Sequence, residues 1–410
     1  SLLCGFAWNL PSLVLFRLIQ GIGGGILLPL VRTLLFQTFP TEERGTAVST
    51  MGISLMVAPM LGPVLGGYLV TAFDWPWAFF INVPLGIVAV TIAQKALRHT
   101  PGEQETCFDG TGFLTAAAGS AILIYAISSV TSDAGSIGNV LLLFVGVLLL
   151  LAFVVIELTK ARRGQEPLLD LRRFRDRTFA FSGLANVFVA SARFGTLFLI
   201  PIYLQALRQQ TAFQTGAILA AQALATVTVL PIGGRLSDRI GPRPVALVGL
   251  TIFASATTLM TMLAMNTPVW MVVGILALVG SASGLTNQIP VSAMSQIEKD
   301  EHKEVANGST ILTMLHATAA PMGVALLSSM VQGRSQQYAQ SLAAEGVTGE
   351  LLQQQSTLLA MHNSFFIASC LVLTALVVMS LIPKRNKRMI EQPKQPPHSS
   401  DLNAELDNVN

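Results

Sequence analysis

Ala58-Pro59-Met60-Leu61-Gly62-Pro63-Val64-Leu65-Gly66-Gly67 is the centre of an uncharged run from Gly45 to Phe73. The run is long enough to cross a bilayer, for which about 20 apolar residues suffice. Yet its centre is crowded with proline and glycine, the poorest helix formers in water. A membrane helix tolerates them where neighbouring helices cover the freed carbonyls. Ala58, Gly62 and Gly66 recur every fourth residue, a small-residue stripe on which another helix can approach closely. Pro59, Pro63 and Gly67 form a second stripe beside it and predict a kink. The stretch therefore predicts a transmembrane helix that packs tightly and bends. On spacing alone it could equally be a packing seam with no further role.

Ten more apolar spans surround this one. The eleven fall at about 12–38, 45–73, 77–97, 110–130, 138–159, 179–204, 213–233, 243–265, 268–290, 305–332 and 361–383. The chain of 410 residues is 52% hydrophobic and 11% charged, against a usual charged share of about 25%. These values exclude an ordinary soluble domain and predict an all-α polytopic membrane protein. A net charge of +3 gives no reason to expect nucleic acid as a partner. Cys4, Cys107 and Cys370 lie far apart, which predicts neither a disulfide framework nor a metal site. Ser1–Trp8 is apolar but too short to span, and reads as the tail of a helix that begins earlier. The expectation is a chain truncated at its N-terminus.

Lysine and arginine set the expected orientation. With the loop after the fifth span placed in the cytoplasm, 21 of the 25 basic residues, Arg32 and Arg44 among them, share that side. The C-terminus is then cytoplasmic. Arg17 and Arg193 remain inside spans, a costly position that marks a functional candidate. Every Asp and Glu falls in a loop, a tail or a helix end, so no span carries a mid-membrane carboxylate. The polar segment 384–410 is expected to be a disordered cytoplasmic tail, and the outer segment Gln332–Ala360 to carry a short surface helix.

Three motifs resemble one known family. Gly62-Pro63-x-x-Gly66-Gly67 resembles the antiporter signature in the fifth helix of major facilitator superfamily drug/proton antiporters. Arg17-Leu18-Ile19-Gln20-Gly21 resembles that family's fourth-helix motif. Gly234-Arg235-Leu236-Ser237-Asp238-Arg239-Ile240-Gly241-Pro242-Arg243 resembles its cytoplasmic loop motif. In this loop Asp238 can face a helix N-terminus, where negative charge is favoured, and Arg239 and Arg243 can pair with it. Trp75-Pro76-Trp77 with Asn82-x-Pro84-x-Gly86 is similar to the start of the family's sixth helix, although Pro76 stands where arginine is common. Phe108-Asp109-Gly110, Glu166-Pro167-Leu168-Leu169-Asp170-Leu171 and Pro201-Ile202-Tyr203-Leu204-Gln205 resemble its fourteen-helix (EmrB/QacA) branch. Asp109 is a good helix N-cap.

The resemblance implies two six-helix halves with two extra central helices, the first two helices and most of the third being absent. The divisions would be 1–98 for the remaining first half, 99–160 for the extra helices and 161–383 for the second half. It implies a secondary active transporter in a bacterial inner membrane that exchanges amphipathic small molecules for protons. The lipid bilayer, protons and a periplasmic adaptor protein would be its partners. Arg17, Gln20, Gly21, Gly62, Pro63, Gly66, Gly67, Gly234, Asp238, Arg239, Gly241 and Arg243 are the candidates for coupling and conformational change. Polar residues inside spans are the cavity candidates: Asn186, Arg193, Gln222, Asn287 and His316, with Gln288 beside them. Asn186 and Arg193, seven residues apart, share one helix face. Nothing in the sequence resembles an enzyme, since Gly21–Gly25 lacks the lysine and the strand context of a phosphate loop. No cofactor or metal is expected. Two alternatives stay open: an exporter of one metabolite or metal chelate, with the arginines favouring an anion, and a membrane sensor or scaffold that does not transport.

Overall fold

The computed structural model describes residues 1–40, 43–96, 109–129, 137–165, 167–297 and 302–382. Inside the signature helix, the side chains at 56–61, 63, 64, 67, 68, 70 and 71 lie outside this description. So do the whole of the expected tail, Phe108 and Glu166.

A short helix α1 (Leu2–Gly5) leads into α2 (Leu10–Thr38). Asn9 caps α2 in a capping box with Ser12, whose N–H donates to Asn9 Oδ1 at 2.8 Å. The signature stretch forms α3 (Arg44–Ala72), helical through both proline positions. The expected span at 77–97 is broken into α4 (Trp77–Phe80) and α5 (Asn82–Ala96). Next come α6 (Gly110–Ser129) and α7 (Ile137–Arg162), an adjacent antiparallel pair. Asp109 caps α6 as expected, accepting from Gly112 N–H at 2.8 Å, and pairs with Lys160 at the end of α7.

The rest of the chain is α8 (Arg177–Ile202), α9 (Ala212–Ile240), α10 (Pro242–Met260), α11 (Val269–Thr286), α12 (Ile289–Ala293), α13 (His302–Ala344) and α14 (Gly349–Ser380). Asp176 caps α8, and Thr211 with Gln214 forms a capping box at α9. Gly241 turns the chain between α9 and α10 at φ 93°, a region open to glycine, and Pro242 then starts α10. Past Pro201 the end of α8 widens into a π turn over Tyr203–Leu207. Leu199, Leu250, Phe253, Met260 and Phe365 are fully buried in one core that runs through α8–α14. Helices α8 and α13 touch backbone to backbone. A methyl placed on Gly195 would lie 2.7 Å from the carbonyl of Gly323.

Ten helices among the described residues are long and apolar enough to cross a membrane. Those of the front segment, α2 and α5, turn Leu18, Ile22, Ile26, Leu85, Val88 and Ile92 outward, the surface that lipid would cover. One expectation needs correction. Segment 332–360 holds no separate short helix: α13 runs on to Ala344 over 43 residues, about 65 Å of helix, and α14 begins at Gly349. The 268–290 span is found as Val269–Ala293, with a local turn in its helix. The turn falls at Asn287-Gln288, between α11 and α12, where Pro290 starts the next turn.

Candidate functional site

The front segment meets the α8–α14 bundle mainly at one end, where the basic loops gather. There Gly45 and Gly234 let α3 and α9 come into backbone contact. A methyl on Gly234 would sit 2.7 Å from the Gly45 carbonyl and 2.6 Å from Ser49 Oγ. No side chain of α3 itself caps its N-terminus. Asp238, on α9, supplies the cap from outside. Its carboxylate accepts from Gly45 N–H at 2.9 Å, Thr46 N–H at 3.0 Å and Thr46 O–H at 2.5 Å. Charge-assisted bonds to free helix N–H groups are among the stronger ones available.

The expected pairing of Arg239 and Arg243 with Asp238 does not form. Arg243 donates to the Ser380 carbonyl at 2.7 Å, tying α10 to α14, and Arg239 is exposed. The carboxylate is already taken by three donors on α3, which leaves no geometry for a guanidinium fork.

Arg44 is a second tie, and the sequence reading missed it by counting it as a loop charge. It is completely buried. Its Nη1 donates to the carbonyls of Met294 and Ile297 at 3.0 and 2.8 Å, its Nη2 to Phe36 O at 3.2 Å, and its Nε to Phe39 O at 3.4 Å. Ser49 accepts from buried Gln288 at 3.0 Å, and Thr33 and Ser309 share a hydrogen bond of 2.6 Å. Every hydrogen bond shown between α2 or α3 and the α8–α14 bundle, among the described residues, therefore arises from residues 32–49. Among the described residues, an added methyl at Gly21, Gly62 or Gly66 meets nothing within 4 Å. Among the described glycines of α3, the close approaches to the bundle are at Gly45 and Gly52, a turn or more before the stripe. The basic end is closed.

Just inside that closed end lies a cavity of about 20 Å³, lined by Arg32, Asn186, Arg193, Thr286, Asn287 and His316 together with apolar residues. Four of the five expected cavity residues meet there. Gln222 does not: its backbone carbonyl packs against Gly280 of α11 and accepts from Thr226. Arg32 is the unexpected member. Alternation of loops put it at the cytoplasmic surface, but it sits inside α2 and reaches Thr313 Oγ1 at 3.4 Å. Arg193 Nη2 donates to Thr286 Oγ1 at 2.6 Å. Its Nε is buried without a partner, and so is Nδ2 of Asn287. Asn186 turns toward the Leu312 carbonyl at 3.5 Å, and the His316 ring meets Phe194 edge to face at 5.7 Å.

Arg17 and Gln20 come together as expected, with Arg17 Nη1 donating to Gln20 Oε1 at 3.0 Å. The guanidinium also lies over the Phe79 ring, 4.5 Å from its centre. Gln20 continues to Ser1 Oγ at 2.7 Å. The arginine is exposed, and it stands apart from the residues that line the cavity.

Comparison with known proteins places the chain in a family. The family profile described as Major Facilitator Superfamily matches residues 1–107, 107–308 and 182–404. The chain is 32% identical over 339 residues to an uncharacterized MFS-type transporter, YhcA, of Bacillus subtilis, covering 82% of this chain and 62% of that one. It is 30% identical over 341 residues to the multidrug transporter protein MdtP of the same organism, covering 82% and 61%. It therefore spans about three-fifths of the length of these relatives. Among solved structures it resembles a bacterial homolog of the human lysosomal transporter Spinster, seen inward-facing and occupied. The TM-score is 0.50 at 18% identity, over 93% of this chain and 78% of the other, a likeness of fold alone. An all-helical polytopic chain, matched along nearly its whole length by one family profile, belongs to the Major Facilitator Superfamily.

Proposed function

We propose that this chain works as a proton-driven exporter of amphipathic compounds in a bacterial inner membrane, with its C-terminus in the cytoplasm. The carrying observation is the clasp of Asp238 on Gly45 and Thr46. It holds α3 in place where Ser49 and Gly52 lie against Gln288 and Asn287, and Asn287 lines a polar cavity shared by α2 and the α8–α14 bundle. A bond set that closes one end and can be released is what alternating access needs. In this reading the chain is of the fourteen-helix type, α6 and α7 are the extra central pair, and α8–α14 form the second half. A multidrug transporter among the relatives supports the substrate class. Arg17 serves proton coupling, by lowering the pKa of a carboxyl brought near it. Gly62 and Gly66, where an added methyl would meet no described residue within 4 Å, offer the surface on which another helix closes when the clasped end opens.

The test is transport by the full-length protein in proteoliposomes with an imposed pH gradient. Movement of an amphipathic dye against its own gradient, abolished by a protonophore, is the expected result. Flux that ignores the pH gradient removes proton coupling. No flux of any dye, with correct insertion, favours a sensor or scaffold. An exporter of one anionic compound is the second reading, favoured by the two arginines at the cavity.

A further inference from the structure

Arg44 shows how this fold holds an arginine for structure alone. It is fully buried, and all three of its nitrogens donate to backbone carbonyls. Arg193 is held differently. One bond goes to the hydroxyl of Thr286, and its Nε is buried with no partner. Across the same cavity Arg32 has one long bond, 3.4 Å, to Thr313. Asn287 contributes an amide nitrogen that is also buried and unpartnered. The cavity thus gathers two guanidinium groups and a spare amide donor from α2, α8 and the α11–α12 break. No Asp or Glu lines it.

Nearby acids are committed elsewhere among the described residues. Glu157 accepts from Leu169 N–H beside Asp109, Glu304 pairs with Arg173, and Asp238 holds α3. Two cations around one low-dielectric space repel each other, and a single hydroxyl bond to each replaces only part of the hydration it loses. An anion would relieve both costs. A planar or tetrahedral oxyanion also matches the guanidinium fork, which a cationic substrate cannot use.

We infer that this cavity is the binding site for the anionic group of the transported compound, a carboxylate, sulfonate or phosphate held by Arg193 and Arg32 with Asn287 beside them. The inference rests on the exporter reading and names its substrate class. At about 20 Å³ the cavity has room for about one water. In this closed form it holds no more than the tip of such a group. The apolar body of the compound enters when the Thr33–Ser309 bond and the Asp238 clasp release.

The test uses the purified full-length protein in detergent and two probes of equal size and opposite charge, naphthalene-2-sulfonate and 2-naphthyltrimethylammonium. Their affinities are read from thermal unfolding midpoints at fixed ionic strength. The sulfonate is expected to stabilise the protein and the ammonium is not. Arg193→Gln and Arg32→Gln should each weaken the sulfonate at least tenfold. Arg193→Lys should keep part of its effect, and Asn287→Ala, which retains both charges, should weaken it severalfold. Equal or greater stabilisation by the ammonium, no shift with either probe, or a sulfonate shift that survives both glutamine variants would each overturn the inference. Sulfonate binding without gradient-driven flux would sink the exporter reading alone. Flux of cationic dyes without sulfonate binding would sink this inference alone.

Discussion

Asp238 of α9 caps the N-terminus of α3, accepting from the backbone N–H of Gly45 at 2.9 Å across 193 residues of chain. A helix start in the front segment therefore depends on a side chain of the α8–α14 bundle. Removing such a cap typically costs about 1 kcal/mol, with charge at the helix terminus adding a few tenths or more.

Asp238→Asn keeps one acceptor and loses the charge, so the clasped state weakens by about that amount. Transport rate should fall several-fold while substrate affinity, set at the cavity, stays within about twofold. Rate and affinity measured separately in proteoliposomes check this. A variant with normal rate and much weaker affinity would show that the clasp belongs to the binding site.

Gly234→Val should do more harm than Asp238→Asn. A β-carbon there lies 2.7 Å from the Gly45 carbonyl, so backbone must move, not merely a side chain. A cysteine introduced at Ser49, buried at this contact, should become sharply more reactive. Gly62→Leu behaves differently: the position is open here, so insertion and the clasped state should be unaffected while export is lost. Wild-type export by Gly62→Leu at equal expression would remove the signature from the mechanism.

Arg44→Met should be the most destabilising of these changes, by about 3 kcal/mol or more, because it strands several buried carbonyls at once. Arg44→Lys should rescue little, since an ammonium cannot reproduce the spread of the guanidinium donors. Thermal midpoints in detergent check both. A lysine variant as stable as wild type would show that charge alone suffices.

Acid should loosen the α6–α7 junction. Burial by itself would raise the Asp109 carboxyl, but hydrogen bonds from Lys160, Gly112 N–H and Thr111 outweigh it and hold the group below its ordinary range. A depressed folded value stabilises at pH above the unfolded value of about 4, and that stability is lost as pH falls toward the folded one. Limited proteolysis of the junction should increase below about pH 4 in wild type. In Asp109→Asn it should already be high at neutral pH and nearly flat with acid.

The helices were largely legible in the sequence because lipid demands long uncharged runs, and Asp109 marks one start by capping chemistry. The extension of α13 to Ala344 was not, since the polar residues after Gln332 resemble a loop when their helical partners on α14 are unknown. The loop motif led directly to Asp238 and its helix terminus. It did not reveal that three donors on α3 would exclude Arg239 and Arg243. Arg32 and Arg44 were hidden for one reason: a basic residue near a helix end looks like a loop charge until the fold shows which carbonyls or cavity it meets. Gln222 shared the composition signal of the true cavity residues but is not among those lining the cavity, a matter of helix rotation that polarity alone does not set.

The most direct test is a distance measurement across the clasp. Spin labels at Thr50 and Arg235, both exposed on the two helices it joins, would report the separation in the full-length protein. Two distance populations are predicted, a short one matching the clasped end and a longer one. Asp238→Asn should shift weight to the longer. A single short distance, unchanged by Asp238→Asn and by pH, would contradict the account.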